Sequence, residues 1–159
     1  MQPRIDYRKH AQEAIKSVLS LEKYVAASGL DEKLIHLVKM RASQINGCAY
    51  CLDMHSIDAR AAGETEQRLY TLDAWRETPF FTDRERAALA WTEALTLISE
   101  THAPDDVYEE LQKHFSEKEI VDLTWAVCAI NLWNRVAISF RAVPGHYKPA
   151  KAAATSSSS

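Results

Sequence analysis

Residues 37–55 read LVKMRASQINGCAYCLDMH, and the Asn46-Gly47 pair in the middle divides this stretch into the end of one helix and the start of another. Upstream, Leu34, Leu37, Val38 and Met40 recur at spacings that line one side of a helix over about residues 31–45, with Asp31 as its N-cap. Downstream, about residues 48–62 are good helix formers closed by Gly63. Cys48 and Cys51 therefore fall in the first turn or two of the next helix, with Asn46 or Gly47 as its N-cap. At 100° per residue, positions 48, 51 and 55 lie at about 0°, −60° and −20°, so two sulfurs and the imidazole of His55 share one face.

Outward from this segment the chain has only 4 Gly and 5 Pro, too few breaks for anything but long helices. Ala14, Ile15, Val18, Leu19, Leu21 and Val25 form an apolar stripe over about residues 7–27, ended by Gly29. A further helix covers about residues 65–75 and stops at Thr78-Pro79. Thr82-Asp-Arg-Glu85 reads as a capping box opening a helix to about residue 99, and Pro104 suits the first turn of a short one. Ser116-Glu-Lys-Glu119 is a second capping box, opening the most apolar stretch, about residues 117–142. Apolar groups on nearly all its sides predict a helix buried in the domain centre or at a subunit interface. The expectation is an all-α fold of about six or seven helices in one domain over residues 1–150, followed by a disordered Ala/Ser-rich tail at 151–159.

At 159 residues the chain can bury a core without disulfide staples. A net charge of −3 offers no field for nucleic acid or anionic lipid, and no apolar run reaches the roughly 20 residues of a bilayer span. The start has no apolar signal segment, so a cytoplasmic protein is expected. There, three cysteines argue for catalytic or metal-binding work and against a structural disulfide framework.

Two thiols at i and i+3 can close a disulfide, and a histidine four residues after Cys51 can accept its proton and stabilise the thiolate as an imidazolium. That is the equipment of a thiol peroxidase or disulfide reductase. The helix N-terminus favours a thiolate at Cys48, whereas the histidine spacing favours Cys51, so the attacking sulfur stays open at this point. Cys48, Cys51, His55 and His36 could instead complete a zinc site, making the chain a redox-sensing or zinc-binding module without turnover. Cys128, alone amid apolar residues, reads as a packed core thiol.

The run from Leu37 to His55, continued by DARAAG at 58–63, resembles the AhpD-like alkylhydroperoxidase branch of the carboxymuconolactone decarboxylase family, as does FTDRERAALAWTE at 81–93. The resemblance implies an all-helical domain assembling as trimers or hexamers. Its activity would be reduction of organic hydroperoxides in antioxidant defence, by a cysteine pair without metal or other cofactor, with an unidentified dithiol protein as reductant. Carried over, Cys51 attacks the peroxide, Cys48 resolves the sulfenic acid, and His55 relays protons. Where the family pattern has a glutamate twelve residues before the first cysteine and a histidine between the two, this chain has His36 and Tyr50. His36 can pass protons but supplies no fixed negative charge, which leaves Glu85 and Glu93 as candidate carboxylates beside their plainer readings as cap partner and solvated surface residue. The family also contains decarboxylases, acid-base enzymes with no use for vicinal thiols.

Overall fold

The computed structural model describes residues 1–149; the expected tail at 151–159 lies outside them. Helices α1 (Tyr7–His10), α2 (Gln12–Ala26), α3 (Glu32–Asn46), α4 (Ala49–Ala61) and α5 (Glu66–Thr71) are followed by a 3-10 segment, Leu72–Glu77. Then come α6 (Asp83–Thr96), α7 (Ile98–Thr101), α8 (Asp105–Gln112) and α9 (Glu117–Phe140). The fold is all-α among the described residues. The helix number exceeds the expected six or seven because two expected helices are divided. Ala11 takes φ −133° between α1 and α2, and Leu97 takes φ −98°, ψ 35° between α6 and α7. Neither break is marked by Gly or Pro.

Both expected capping boxes are present. Glu85 N–H donates to Thr82 Oγ1 while Thr82 N–H donates to the Glu85 carboxylate, and Ser116 and Glu119 repeat the exchange. α3 is the central helix, packed on α4, α6 and α9. Its two sides feed different parts of the core: Leu34, Ile35 and Val38 pack with Trp91, Leu123 and Val127, whereas Leu37 and Met40 pack with Leu72, Trp75 and Leu89. A third, smaller cluster sets Ala42 of α3 against Cys48, Cys51, Ile130 and Ala137.

α9 is not buried on most of its surface. Val121, Trp125, Cys128 and Leu132 form an exposed apolar stripe along it, and Ile138 is exposed on another face. Cys128 is thus exposed and not the packed core thiol that its apolar neighbours predicted. The core takes the α9 positions beginning Ile120, Leu123, Ala126, Val127 and Ile130, and 128 points the other way.

The join between α3 and α4 is a Schellman turn: Cys48 N–H donates to Ser43 O at 3.0 Å and Gly47 N–H to Gln44 O at 3.2 Å, with Gly47 at φ +69°. A Cβ at Gly47 would meet nothing within 4 Å, so only backbone strain opposes a side chain. Gly47→Ala is expected to lower stability by about 1–2 kcal/mol in urea unfolding with the fold retained.

Candidate functional site

The same turn delivers the cysteines. Cys48, not Asn46 or Gly47, is the N-cap of α4: its Sγ accepts a hydrogen bond from Cys51 N–H at 3.3 Å. Asn46 is unavailable because its side chain donates across to Asn131 and Asn134 of α9 at 3.0 and 2.9 Å, and Asn134 in turn donates to Ser43 Oγ. Cys48 and Cys51, their Cα atoms 5.4 Å apart, are joined as a disulfide, and both are buried. The expected pairing of the sulfurs is therefore in place.

Cys51 lies on the wall of a cavity of about 430 Å³. Tyr7, Leu19, Met54, Trp133 and Tyr147 supply its apolar side; Glu22, Lys39, His55 and Asp58 supply its polar side. His55 and Cys51 thus share the cavity, as their spacing on one helix face requires. Burial, then the Lys39 ammonium and the neighbouring His36 ring, push the His55 pKa down to about 3. The ring is neutral near pH 7, and its buried Nδ1 has no hydrogen-bond partner among the described residues. Asp58 Oδ2 stands 4.0 Å from that nitrogen, and the other Asp58 oxygen accepts from Tyr147 O–H at 2.7 Å.

His36 is not on this cavity wall. Its ring centroid is 6.3 Å from that of His55, placing it behind the catalytic candidate, and burial lowers its pKa too. Tyr50 lines the cavity. Neither glutamate proposed from the sequence does so. Glu85 completes its capping box and pairs with Arg68, Nη2 to Oε1 2.5 Å. Glu93 is not a solvated surface residue: its side chain is 14% exposed and accepts from Arg41 Nε and Trp75 Nε1, both at 2.8 Å. Burial works to raise both carboxyls, but these hydrogen bonds prevail and hold them below the usual range.

The glutamate that reaches the cavity, beside Asp58, is Glu22 of α2. It pairs with Lys39 of α3 and accepts from Trp133 Nε1 of α9 at 3.1 Å. Lys39 is itself buried, between Val38 and Met40. Sequence reasoning missed both, although a lysine inside an apolar run was a signal for a buried partner. Among the described residues no group of three or more His, Cys, Asp and Glu side chains is placed to hold a metal ion, the expected zinc set included. No helix of the described residues is long and apolar enough to cross a membrane.

Comparison with known proteins places these features in a family. The carboxymuconolactone decarboxylase family matches residues 10–94, from α2 through most of α6 and including both cysteines and His55. The uncharacterised protein YdfG of Bacillus subtilis (strain 168) is 43% identical over 139 residues, covering 87% of this chain and 95% of that one. The structure of a protein of unknown function from Agrobacterium tumefaciens, provisionally named an antioxidant defence protein AhpD, superposes with a TM-score of 0.88 at 51% identity, covering 91% of this chain and 99% of that one. An uncharacterised peroxidase-related protein from Silicibacter sp. TM1040 shares the fold at 24% identity, with a TM-score of 0.76 over 84% of this chain and 71% of that one. On the extent of the family match, and with a Cys-x-x-Cys pair at the head of α4, the chain belongs to the carboxymuconolactone decarboxylase family, in its AhpD-like branch.

Proposed function

We propose that the protein reduces organic hydroperoxides in antioxidant defence, cycling Cys48 and Cys51 between dithiol and disulfide. The observation that carries this reading is the placement of Cys51 and a neutral, buried His55 on the wall of one largely apolar cavity, with Cys48 within disulfide distance of Cys51. The provisional name of the Agrobacterium relative supports the same reading. In the reduced protein the Cys51 thiol passes its proton to His55 and the Lys39 ammonium on the same wall stabilises the thiolate. The thiolate attacks the peroxide, breaking the O–O bond. Sulfur gains OH as a sulfenic acid, and the departing alkoxide takes the proton from His55 to leave as alcohol. The Cys48 thiol then attacks the sulfenic sulfur of Cys51, and its proton leaves with the displaced hydroxide as water as the disulfide closes. Two electrons from a thiol reductant reopen it.

His55 is the proton carrier in transit, not a standing imidazolium: neutral before attack, it takes a proton only while a thiolate forms beside it. His36, behind it, tunes the ring and does not touch the reacting atoms. We further propose that the chain self-associates as a trimer or hexamer through the exposed α9 stripe, since contiguous apolar surface of this kind marks interfaces.

With cumene hydroperoxide and a dithiol, Cys51→Ser is expected to lose activity by at least about 100-fold. Cys48→Ser is expected to stall as a Cys51 sulfenic acid visible by mass spectrometry; equal rates in wild type and both variants would refute the cycle. Light scattering is expected to give a multiple of 18.0 kDa, and Trp125→Lys to shift it toward the monomer. Stability should follow the His55 proton. Unfolded, the ring titrates near 6.5; folded, near 3. Below pH 6.5 the unfolded chain gains a proton that the fold refuses, so stability is full above that pH and falls as pH drops toward 3. The loss is about 3–5 kcal/mol across the window, read from urea unfolding of the disulfide form at pH 7 and pH 4, and His55→Gln is expected to remove most of it.

A further inference from the structure

The two sulfurs do not open onto the same space. Cys51 faces the cavity described above, whereas Cys48 lines a second one, of about 690 Å³, on the other side of Tyr50 and Ala137, which form part of the wall of both. The second cavity is walled by Gly47 and Ala49 beside the cysteine, by the end of α9, and by residues 141–144 after it. Two arginines, Arg4 and Arg141, are among its lining residues. Arg4 Nη1 donates to the Ser139 carbonyl at 3.0 Å, and Arg141 leaves α9 with φ 54°. Among the described residues no carboxylate pairs with either one. A volume of several hundred Å³ suits a small molecule, and two uncompensated cations suit an anion.

We propose that this second cavity is the reductant site, that it admits a small thiol bearing a carboxylate, and that this thiol attacks Cys48, not Cys51. The proposal rests on the disulfide cycle above and adds the direction from which the cycle is closed. The incoming thiolate forms a bond to Cys48 Sγ, and the Cys48–Cys51 bond breaks with its electron pair going to Cys51. Exchange is faster when the departing thiolate is the more stable one, and Cys51 is the sulfur on the wall that carries Lys39. The same lysine thus serves Cys51 as nucleophile toward peroxide and as leaving group toward thiol. A second molecule of the small thiol then attacks the mixed disulfide at its non-protein sulfur, releasing the reductant as its own disulfide and Cys48 as thiol. Hydroperoxide and reductant never compete for one opening.

The test uses the wild-type disulfide form without peroxide, treated with 3-mercaptopropionate, 2-mercaptoethanol or cysteamine at equal thiolate concentration, and quenched with acid for peptide mapping. The first adduct is expected on Cys48. The opening rate is expected to rank anionic over neutral over cationic thiol, with roughly a tenfold gap between the extremes at about 0.02 M KCl that narrows severalfold at about 0.5 M. Arg4→Gln/Arg141→Gln is expected to collapse that gap; the salt series on wild type stands independently of how the double variant folds. An adduct on Cys51, or a cysteamine rate equal to that of 3-mercaptopropionate at both salt levels, would overturn the proposal. Because no peroxide is present, a protein that consumes hydroperoxide yet shows no charge preference fails this inference alone. One that shows the preference but consumes no hydroperoxide fails only the reading of its function.

Discussion

Cys48 belongs to two helices at once, and the site is built on that double membership. Its N–H closes α3 onto Ser43 O, and its Sγ opens α4 by accepting from Cys51 N–H. Both bonds require the chain to reverse in a single residue at positive φ, which Gly47 provides. Because α3 is packed on three other helices and Asn46 and Asn134 tie the turn to α9, the sulfurs inherit the rigidity of the core. A cysteine on a loose loop would lose more conformational freedom each time the disulfide closed; here the turn and its packing place the Cα atoms of the bonded pair 5.4 Å apart.

That rigid pair sits in an electrostatic arrangement with one mobile proton and one fixed cation. Lys39 is held by Glu22, which Trp133 also fixes, so three helices converge on one ammonium group. The cation depresses His55 and stabilises an anion placed beside it, and these are the same effect seen from two groups. With Cys51 in the disulfide, burial, Lys39 and His36 outweigh the Asp58 carboxylate 4.0 Å away and keep the imidazole neutral. On the proposed cycle, a thiolate at Cys51 would couple to the imidazole, and the proton would be shared only during the step that needs it.

How much of this the sequence carried depended on how far apart the participants lie along the chain. The Cys48, Cys51 and His55 grouping is local, fixed by helical periodicity, and the capping boxes are equally local. The division of the first helix at Ala11 and of α6 from α7 at Leu97 left no mark, because alanine and leucine are strong helix formers. Glu22 reaches Lys39 across 17 residues and Trp133 across 111, contacts that no periodicity encodes. Glu93 illustrates the converse error: a charged residue in a helix reads as solvated until two arginines and a tryptophan from other elements are found around it. Cys128 was misplaced because apolar neighbours in sequence are not neighbours in space on a helix whose opposite faces differ.

α9 links these levels. Ile130 and Ala137 pack against the cysteines, Trp133 anchors Glu22, and the exposed stripe from Val121 to Leu132 runs along another face of the same helix. Trp133 and Ala137 of this 24-residue helix also stand in the wall of the cavity that Cys51 lines. A second copy covering Val121, Trp125, Cys128 and Leu132 would pack α9 on the side opposite the core, away from the lining of both cavities. On the proposed cycle, the helix whose exposed face would carry the assembly also holds, through Trp133, the Glu22 that pairs with Lys39 beside Cys51.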